Sequence, residues 1–198
     1  LTCLSSWNKV VNNVDIIFHL SSNTSIYEAE KNPKNSLDSN LLPIIQLISA
    51  SKHFANVPKV IFASTATVYG LKTEFPVKES DKTNPLTVYD KHKLLAEEKL
   101  IEASNINILN TVILRLANVY GPSVNESKAG DRGVLSKVTR MKFEGKNLIL
   151  YGDGLSIRDY VYIDDVVDAF IHASIIKNTP LIYNVASGHG TSIKEVFN

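Results

Sequence analysis

The sequence twice sets a tyrosine four residues before a lysine, at Tyr27/Lys31 and at Tyr89/Lys93. Such a pair can do proton chemistry. A phenol ionises near pH 10 and is a poor base at neutral pH. A cation held beside it favours the phenolate and brings a base into the working range. The pattern alone is weak, because eight tyrosines among many lysines produce it about once by chance. Context separates the two. Thr87-Val88-Tyr89-Asp90 has the spacing of a capping box, which puts Tyr89 in the first turn of a helix and Lys93 one turn on, on the same face. Upstream, Val60–Thr65 reads as a buried strand ending in Ser64-Thr65, and Thr65 is placed to offer a hydrogen bond to the same substrate hydroxyl. Tyr27/Lys31 runs into Asn32-Pro33, outside any predicted helix, and reads as a surface pair. The plain alternative for the second set is a buried tyrosine, an exposed lysine and a strand-end threonine.

The elements that must position these residues alternate. Val14–Leu20 (VDIIFHL) is a short β-branched apolar run, and Thr111–Leu116 reads as a third strand. Between the first two strands, Leu37, Leu41, Ile44, Ile45 and Ile48 fall at helical spacing over 33–53. Between the second and third, a helix runs from about Val88 to Ala103, closed by Ser104-Asn105. Strand, helix, strand, helix, strand predicts an α/β fold with a parallel sheet and right-handed crossovers. Apolar strands of this kind fit a sheet covered on both faces. After Gly121-Pro122 the character changes. Residues 123–133 are polar and loop-like. A helix near Val134–Glu144, strands near Leu148–Leu150 and Tyr160–Ile163, a helix near Asp164–Ile176 and a strand near Leu181–Val185 follow. The expected organisation is a partial dinucleotide-binding domain over 1–122 carrying the catalytic residues, and a smaller substrate-binding lobe with returning sheet elements over 123–198.

Composition narrows the function. The 198 residues are 44% hydrophobic and 21% charged, with a formal net charge of +1. The basic residues are dispersed, unlike a nucleic-acid-binding face. No apolar run is long enough for a membrane helix. One cysteine, Cys3, allows neither an internal disulfide nor a cysteine metal cluster, and the five histidines show no ligand spacing. The plain reading is a soluble cytoplasmic protein that takes neither metal, nucleic acid nor membrane. The chain begins with leucine and its only methionine is Met141, which reads as a fragment.

Several short motifs occur in order: Phe62-Ala63-Ser64-Thr65-Ala66-Thr67-Val68-Tyr69-Gly70, then Tyr89 and Lys93, then Arg115-Leu116-Ala117-Asn118-Val119-Tyr120-Gly121-Pro122, then Gly152-Asp153-Gly154 and Arg158-Asp159-Tyr160-Val161. Together they resemble the extended short-chain dehydrogenase/reductases, most closely the UDP-glucose 4-epimerase branch of the NAD-dependent epimerase/dehydratase family. The resemblance runs from Val14 to the end. It implies a Rossmann-like doubly wound parallel sheet with a small interleaved substrate lobe, and NAD as cofactor. It implies catalytic roles for Thr65, Tyr89 and Lys93, with Lys93 also holding the nicotinamide ribose. It places Leu20, Ser21 and Ser22, after His19, along the dinucleotide, where two serines stand for two small apolar residues. It brings Ser39 to the cofactor, Asn118 to the sugar nucleotide and Arg158 to the diphosphate, where a planar guanidinium suits bidentate contact. A surface pair of Arg158 with Asp164 is the alternative.

The family opens with a strand and a Gly-x-x-Gly-x-x-Gly turn that binds the pyrophosphate. None of the nine glycines here forms that pattern. The N-terminal strands and the glycine-rich loop are therefore expected to be missing, and the isolated 198 residues to bind NAD poorly and to be inert. Ala66 and Thr67 follow Thr65, where the resembling 4,6-dehydratases carry an Asp-Glu pair and the decarboxylases a glutamate two residues on. That argues against both reactions and leaves reversible oxidation, best as epimerisation at C4 of a UDP-hexose. A nucleotide-sugar reductase or dehydrogenase, and a non-catalytic dinucleotide-binding protein, are the alternatives. A homodimer of the full-length protein through the helices near 33–53 and 88–103 is implied by analogy.

Overall fold

The computed structural model describes residues 2–11, 14–52, 56–122, 133–147, 153–177 and 181–197. The chain forms two compact units, Leu1–Arg115 with Phe170–Asn184, and Leu116–Ala169 with Val185–Asn198.

In the first unit, helix α1 (Leu4–Val10) precedes strand β1 (Ile16–His19). Helices α2 (Ile26–Lys31), α3 (Pro33–Asn40) and α4 (Leu42–Ser51) lead to strand β2 (Lys59–Thr65). A short 3-10 turn over Ala66–Tyr69 follows. Helix α5 (Val88–Asn105) then leads to strand β3 (Asn110–Leu116). Strand β4 (Asn118–Tyr120), helix α6 (Val134–Phe143), strand β5 (Ile157–Tyr162) and helix α7 (Ile163–Ile175) come next. Strands β6 (Leu181–Val185) and β7 (Gly190–Ser192) and helix α8 (Ile193–Phe197) end the chain. The central sheet has the order β1-β2-β3-β6. It is parallel, with Ile16 opposite Lys59 and His19 opposite Phe62. This is the Rossmann-like α/β arrangement that the alternation of elements predicts.

Burial explains β2 and β3, whereas β1, whose apolar run reads as a buried strand, leaves Ile16 and Phe18 exposed. Val60, Ile61 and Phe62 are fully buried, as are Val112 and Ile113. Side chains alternate across a strand. Val60, Phe62 and Ile113 pack in one cluster with Leu41, Ile44 and Leu47 near and within α4 and with Ala96 and Leu100 of α5. On the other face Phe18 meets Phe170 of α7, ring centres 6.3 Å apart. Lys59 donates its ammonium to the carbonyls of Ser174 and Ile176 at the end of α7, where the helix leaves unpaired acceptors.

Two expectations need correction. The helix expected over 33–53 is two, meeting at Leu41. Pro43 lies in the first turn of α4, where a residue without an N–H is tolerated but a continuous helix is not. Tyr27 and Lys31 do lie on a helix, α2, which is capped by Ser25 accepting from the Glu28 amide at 3.2 Å. Both side chains are exposed, as a surface pair should be.

In the second unit β4 pairs parallel with β5, and β5 antiparallel with β7. Asp159 accepts from the Ser187 and Gly188 amides at 2.8 Å each and from the Ser187 hydroxyl at 2.9 Å, which fixes the turn before β7. The strand expected near Leu148–Leu150 and most of the polar loop over 123–133 lie outside the described residues. No helix among the described residues is long and apolar enough to cross a membrane.

Candidate functional site

The capping box predicted from sequence forms. Thr87 Oγ1 accepts from the Asp90 amide at 3.2 Å, and the Asp90 carboxylate accepts from the Thr87 amide at 3.1 Å. This starts α5 and sets Tyr89 in its first turn. Tyr89, Asp90, Lys93 and Glu97 then fall on the buried side of the helix. Lys93, 2% exposed, donates to the carbonyl of Ala63 at 2.6 Å and stands 4.0 Å above the Phe62 ring.

Thr65 ends β2, where its hydroxyl accepts from the Thr67 amide at 3.3 Å and lies 2.9 Å from the Thr67 hydroxyl. Thr67 donates in turn to the Asp90 carboxylate at 2.5 Å. Thr65 is thereby joined to the helix start that carries Tyr89. The turn that makes this possible needs Gly70. It has φ +69°, and a Cβ there would meet the Asn84 carbonyl oxygen at 2.1 Å.

The phenol does not behave as the sequence suggested. Tyr89 was expected to be held below its ordinary value by Lys93. Burial instead raises it, a hydrogen bond with Ser22 opposes that rise, and the Asp90 charge adds to it. Lys93 is itself pushed down to about 7 by burial, against the pull of Glu97. A buried ammonium whose proton is weakly held, turned to a carbonyl, does little to favour a neighbouring phenolate. Ser22 sharpens the point. Its hydroxyl proton goes to Asn40 Oδ1 at 2.6 Å. Asn40 Oδ1 also accepts from the Asn23 amide at 3.0 Å, while its Nδ2 donates to the Asn23 carbonyl at 3.2 Å, so the amide cannot turn over. Ser22 therefore has little left to set against the burial of the phenol, which stays above its ordinary value.

The other candidates separate. Leu20 and Ser21 follow β1 and are exposed, and Ser22 is half-buried. Ser39 lies on α3 and turns its hydroxyl back to the Asn35 carbonyl at 2.6 Å. Its neighbour Asn40, 1% exposed, is the residue that ties α3 to the segment after β1. Asn118 and Arg158 belong to the second unit. Asn118 on β4 donates to the Asp159 carbonyl at 3.0 Å, and Arg158 on β5 donates to its own neighbour, the Ile157 carbonyl, at 2.8 Å. Both are exposed.

Sequence reasoning missed a buried charged pair beneath the site. Arg115 binds Glu97 through Nη2 at 2.6 Å and Nε at 3.1 and 3.2 Å, and Ser64 donates to the same carboxylate. Arg115 also lies 4.7 Å over the Tyr69 ring, whose hydroxyl donates to Asn184 at 2.8 Å. The available signal was spacing, since Glu97 falls one turn after Lys93 on the same face. Sequence shows neither its burial nor its partner.

The hydroxyls of Ser22 and Tyr89 and the ammonium of Lys93 are donor and acceptor groups of the kind that suits the diol of a ribose. These residues fit the sugar half of a dinucleotide.

The NAD dependent epimerase/dehydratase family matches residues 1–186. The UDP-glucose 4-epimerase of Mycolicibacterium smegmatis is 32% identical over 183 residues, which are 92% of this chain and 58% of that protein. The UDP-glucose 4-epimerase of Thermotoga maritima, solved with UDP-glucose, superposes with a TM-score of 0.90 at 28% identity, over 99% of this chain and 63% of that one. The UDP-glucuronic acid 4-epimerase of Bacillus cereus, solved with UDP-glucuronic acid and NAD, gives 0.85 at 27% identity, over 96% and 59%. The chain thus spans about three fifths of the length of the proteins it resembles. It belongs to the NAD dependent epimerase/dehydratase family.

Proposed function

We propose that the full-length protein interconverts a nucleotide sugar at C4, taking a UDP-hexose through a transient 4-keto sugar with NAD as the cofactor. The observation that carries this reading is the group Thr65, Tyr89 and Lys93 joined at one end of β2 and α5, followed by Ala66 and Thr67. Neither of the latter is a general acid, so neither suits water elimination or decarboxylation. Reversible oxidation is what remains.

Bound nicotinamide supplies the hydride acceptor and donor; the chain orients and tunes it. Tyr89 takes the proton of the sugar 4-hydroxyl in its phenolate form, which a positive charge brought beside it favours. Lys93 orients the ribose with the donors that Ala63 leaves free. Thr65 holds the reacting oxygen. Tyr89 returns the proton once hydride comes back to the opposite face of the turned keto sugar. Leu20, Ser21 and Ser22 are assigned to the dinucleotide, Asn118 to the sugar nucleotide and Arg158 to its diphosphate. Ser39 is the weakest assignment, because its hydroxyl is engaged within α3. Partly exposed Leu37, Ile45 and Leu95 on α3, α4 and α5 support a homodimer through these helices.

The test is to give the full-length protein UDP-galactose and catalytic NAD and to follow the anomeric protons by NMR. UDP-glucose appearing without net NADH supports the reading. No conversion by a protein that binds NAD rejects a UDP-hexose as substrate. Net NADH with released keto sugar favours the dehydrogenase alternative.

A further inference from the structure

The direction of the hydrogen bonds between Thr65 and Asp90 is fixed by counting protons. A carboxylate offers only acceptors, and a threonine hydroxyl has one proton. Asp90 is 3% exposed, and one of its oxygens is already engaged by the Thr87 amide at the helix start. Its other oxygen takes the Thr67 proton at 2.5 Å. With that proton committed, the 2.9 Å contact between the two hydroxyls must use the proton of Thr65. Thr65 also accepts the Thr67 amide at 3.3 Å. What Thr65 has left for a ligand is a lone pair.

We propose that Asp90 and Thr67 are positioning residues that hold Thr65 as a hydrogen-bond acceptor, so that the site grips the hydroxyl form of the sugar and loosens its hold on the keto form. The inference rests on the nucleotide-sugar reading above and extends it. A sugar hydroxyl can donate to Thr65. A keto oxygen has no proton, so it faces the Thr65 lone pair without a bond and is held by Tyr89 alone. An epimerase needs that loosening, because the keto sugar must turn before hydride returns to its other face. The device sits in residues that the catalytic assignment left unused. Thr67 takes no part in the proton transfer, and Asp90 otherwise serves only to cap α5.

Two measurements test it. The first is independent of turnover: a neutron structure of the perdeuterated full-length protein. The expected map places the Thr67 deuteron toward Asp90 and the Thr65 deuteron toward Thr67. A Thr67 deuteron pointing at Thr65 overturns the proposal. The second compares the affinity of the NAD-loaded full-length protein for UDP-glucose and for UDP-4-keto-6-deoxyglucose. In Asp90→Asn the amide oxygen can keep the Thr87 cap while its NH2 donates to Thr67, which reverses the chain and frees the Thr65 proton. In Thr67→Val the chain is cut. Both variants should move the hydroxyl-to-keto affinity ratio toward the keto sugar by about fivefold, as one hydrogen bond is worth, and Thr67→Ser should restore it. A ratio unchanged in both folded, NAD-binding variants overturns the proposal. Loss of UDP-glucose binding by the wild-type protein counts against the nucleotide-sugar reading itself, and the neutron map still decides the polarity.

Discussion

Lys93 donates its ammonium to the carbonyl oxygen of Ala63, 2.6 Å away and two residues before Thr65. The bond crosses from α5 to β2 and locks the helix face that carries Tyr89 to the strand end that carries Thr65. It also buries a cation at a cost. Burial lowers Lys93 from 10.5 to about 7, so the unfolded chain holds this proton more tightly than the folded one.

The sign of the resulting pH dependence follows. Below pH 7 the whole penalty is present. It falls as pH rises from 7 toward 10.5, where the unfolded lysine also loses its proton. Lys93→Met should therefore stabilise the protein by a few kcal/mol at neutral pH, with a gain that shrinks toward pH 10. Chemical denaturation at several pH values measures it. A variant less stable than wild type at pH 7 would mean that the Ala63 bond outweighs the burial.

Tyr89 should ionise above its ordinary value of 10 in the ligand-free protein, because burial, with the Asp90 charge adding to it, outweighs the hydrogen bond with Ser22. Ultraviolet difference titration of wild type against Tyr89→Phe isolates this one tyrosine. Ionisation below pH 10 would show that Lys93 controls the phenol after all.

His19 is 3% exposed, sandwiched between Trp7 and Phe62, and is lowered by burial, with Lys93 adding to the effect, to about 4. Its folded value lies below its unfolded value of 6.5, so stability is lost as pH falls through that window. Relative to His19→Phe, the wild type should lose about 3 kcal/mol between pH 7 and pH 4. Parallel curves for the two proteins would contradict this.

The Glu97–Arg115 pair is almost wholly buried, whereas Lys99–Glu102 on the same helix is exposed. Glu97→Leu should cost about 3–5 kcal/mol by leaving Arg115 unpaired, and adding Arg115→Met should recover most of it. Lys99→Ala should cost at most about 1 kcal/mol. Equal effects in urea denaturation would show that burial does not separate the two pairs.

Much of this was legible in the sequence. The β-branched runs at Ile16–His19, Lys59–Thr65 and Asn110–Leu116 announced three strands, the second and third of them buried and the first leaving Ile16 and Phe18 exposed, and Thr87 with Asp90 announced the start of α5. The capping box singled out Tyr89 over Tyr27. What local pattern could not carry was tertiary. Short α2 and three-residue β4 and β7 have too few residues for a period to show. The direction of the Lys93 ammonium, the commitment of Ser22 to Asn40 and the burial of Glu97 depend on groups 18 or more residues away. The Tyr89 proton was misread for that reason: spacing showed a cation one turn away but not the desolvation that weakens both groups.

The central claim is that hydride leaves C4 and returns to C4 without escaping the site. The direct measurement gives the full-length protein UDP-galactose deuterated at C4, with unlabelled NAD, and reads the deuterium in the UDP-glucose formed by NMR and mass spectrometry. The account predicts full retention of the label at C4 in the inverted product, and its loss of formation in Tyr89→Phe by a factor of about 10²–10⁴. Label washed into solvent, or found at another carbon, would contradict it.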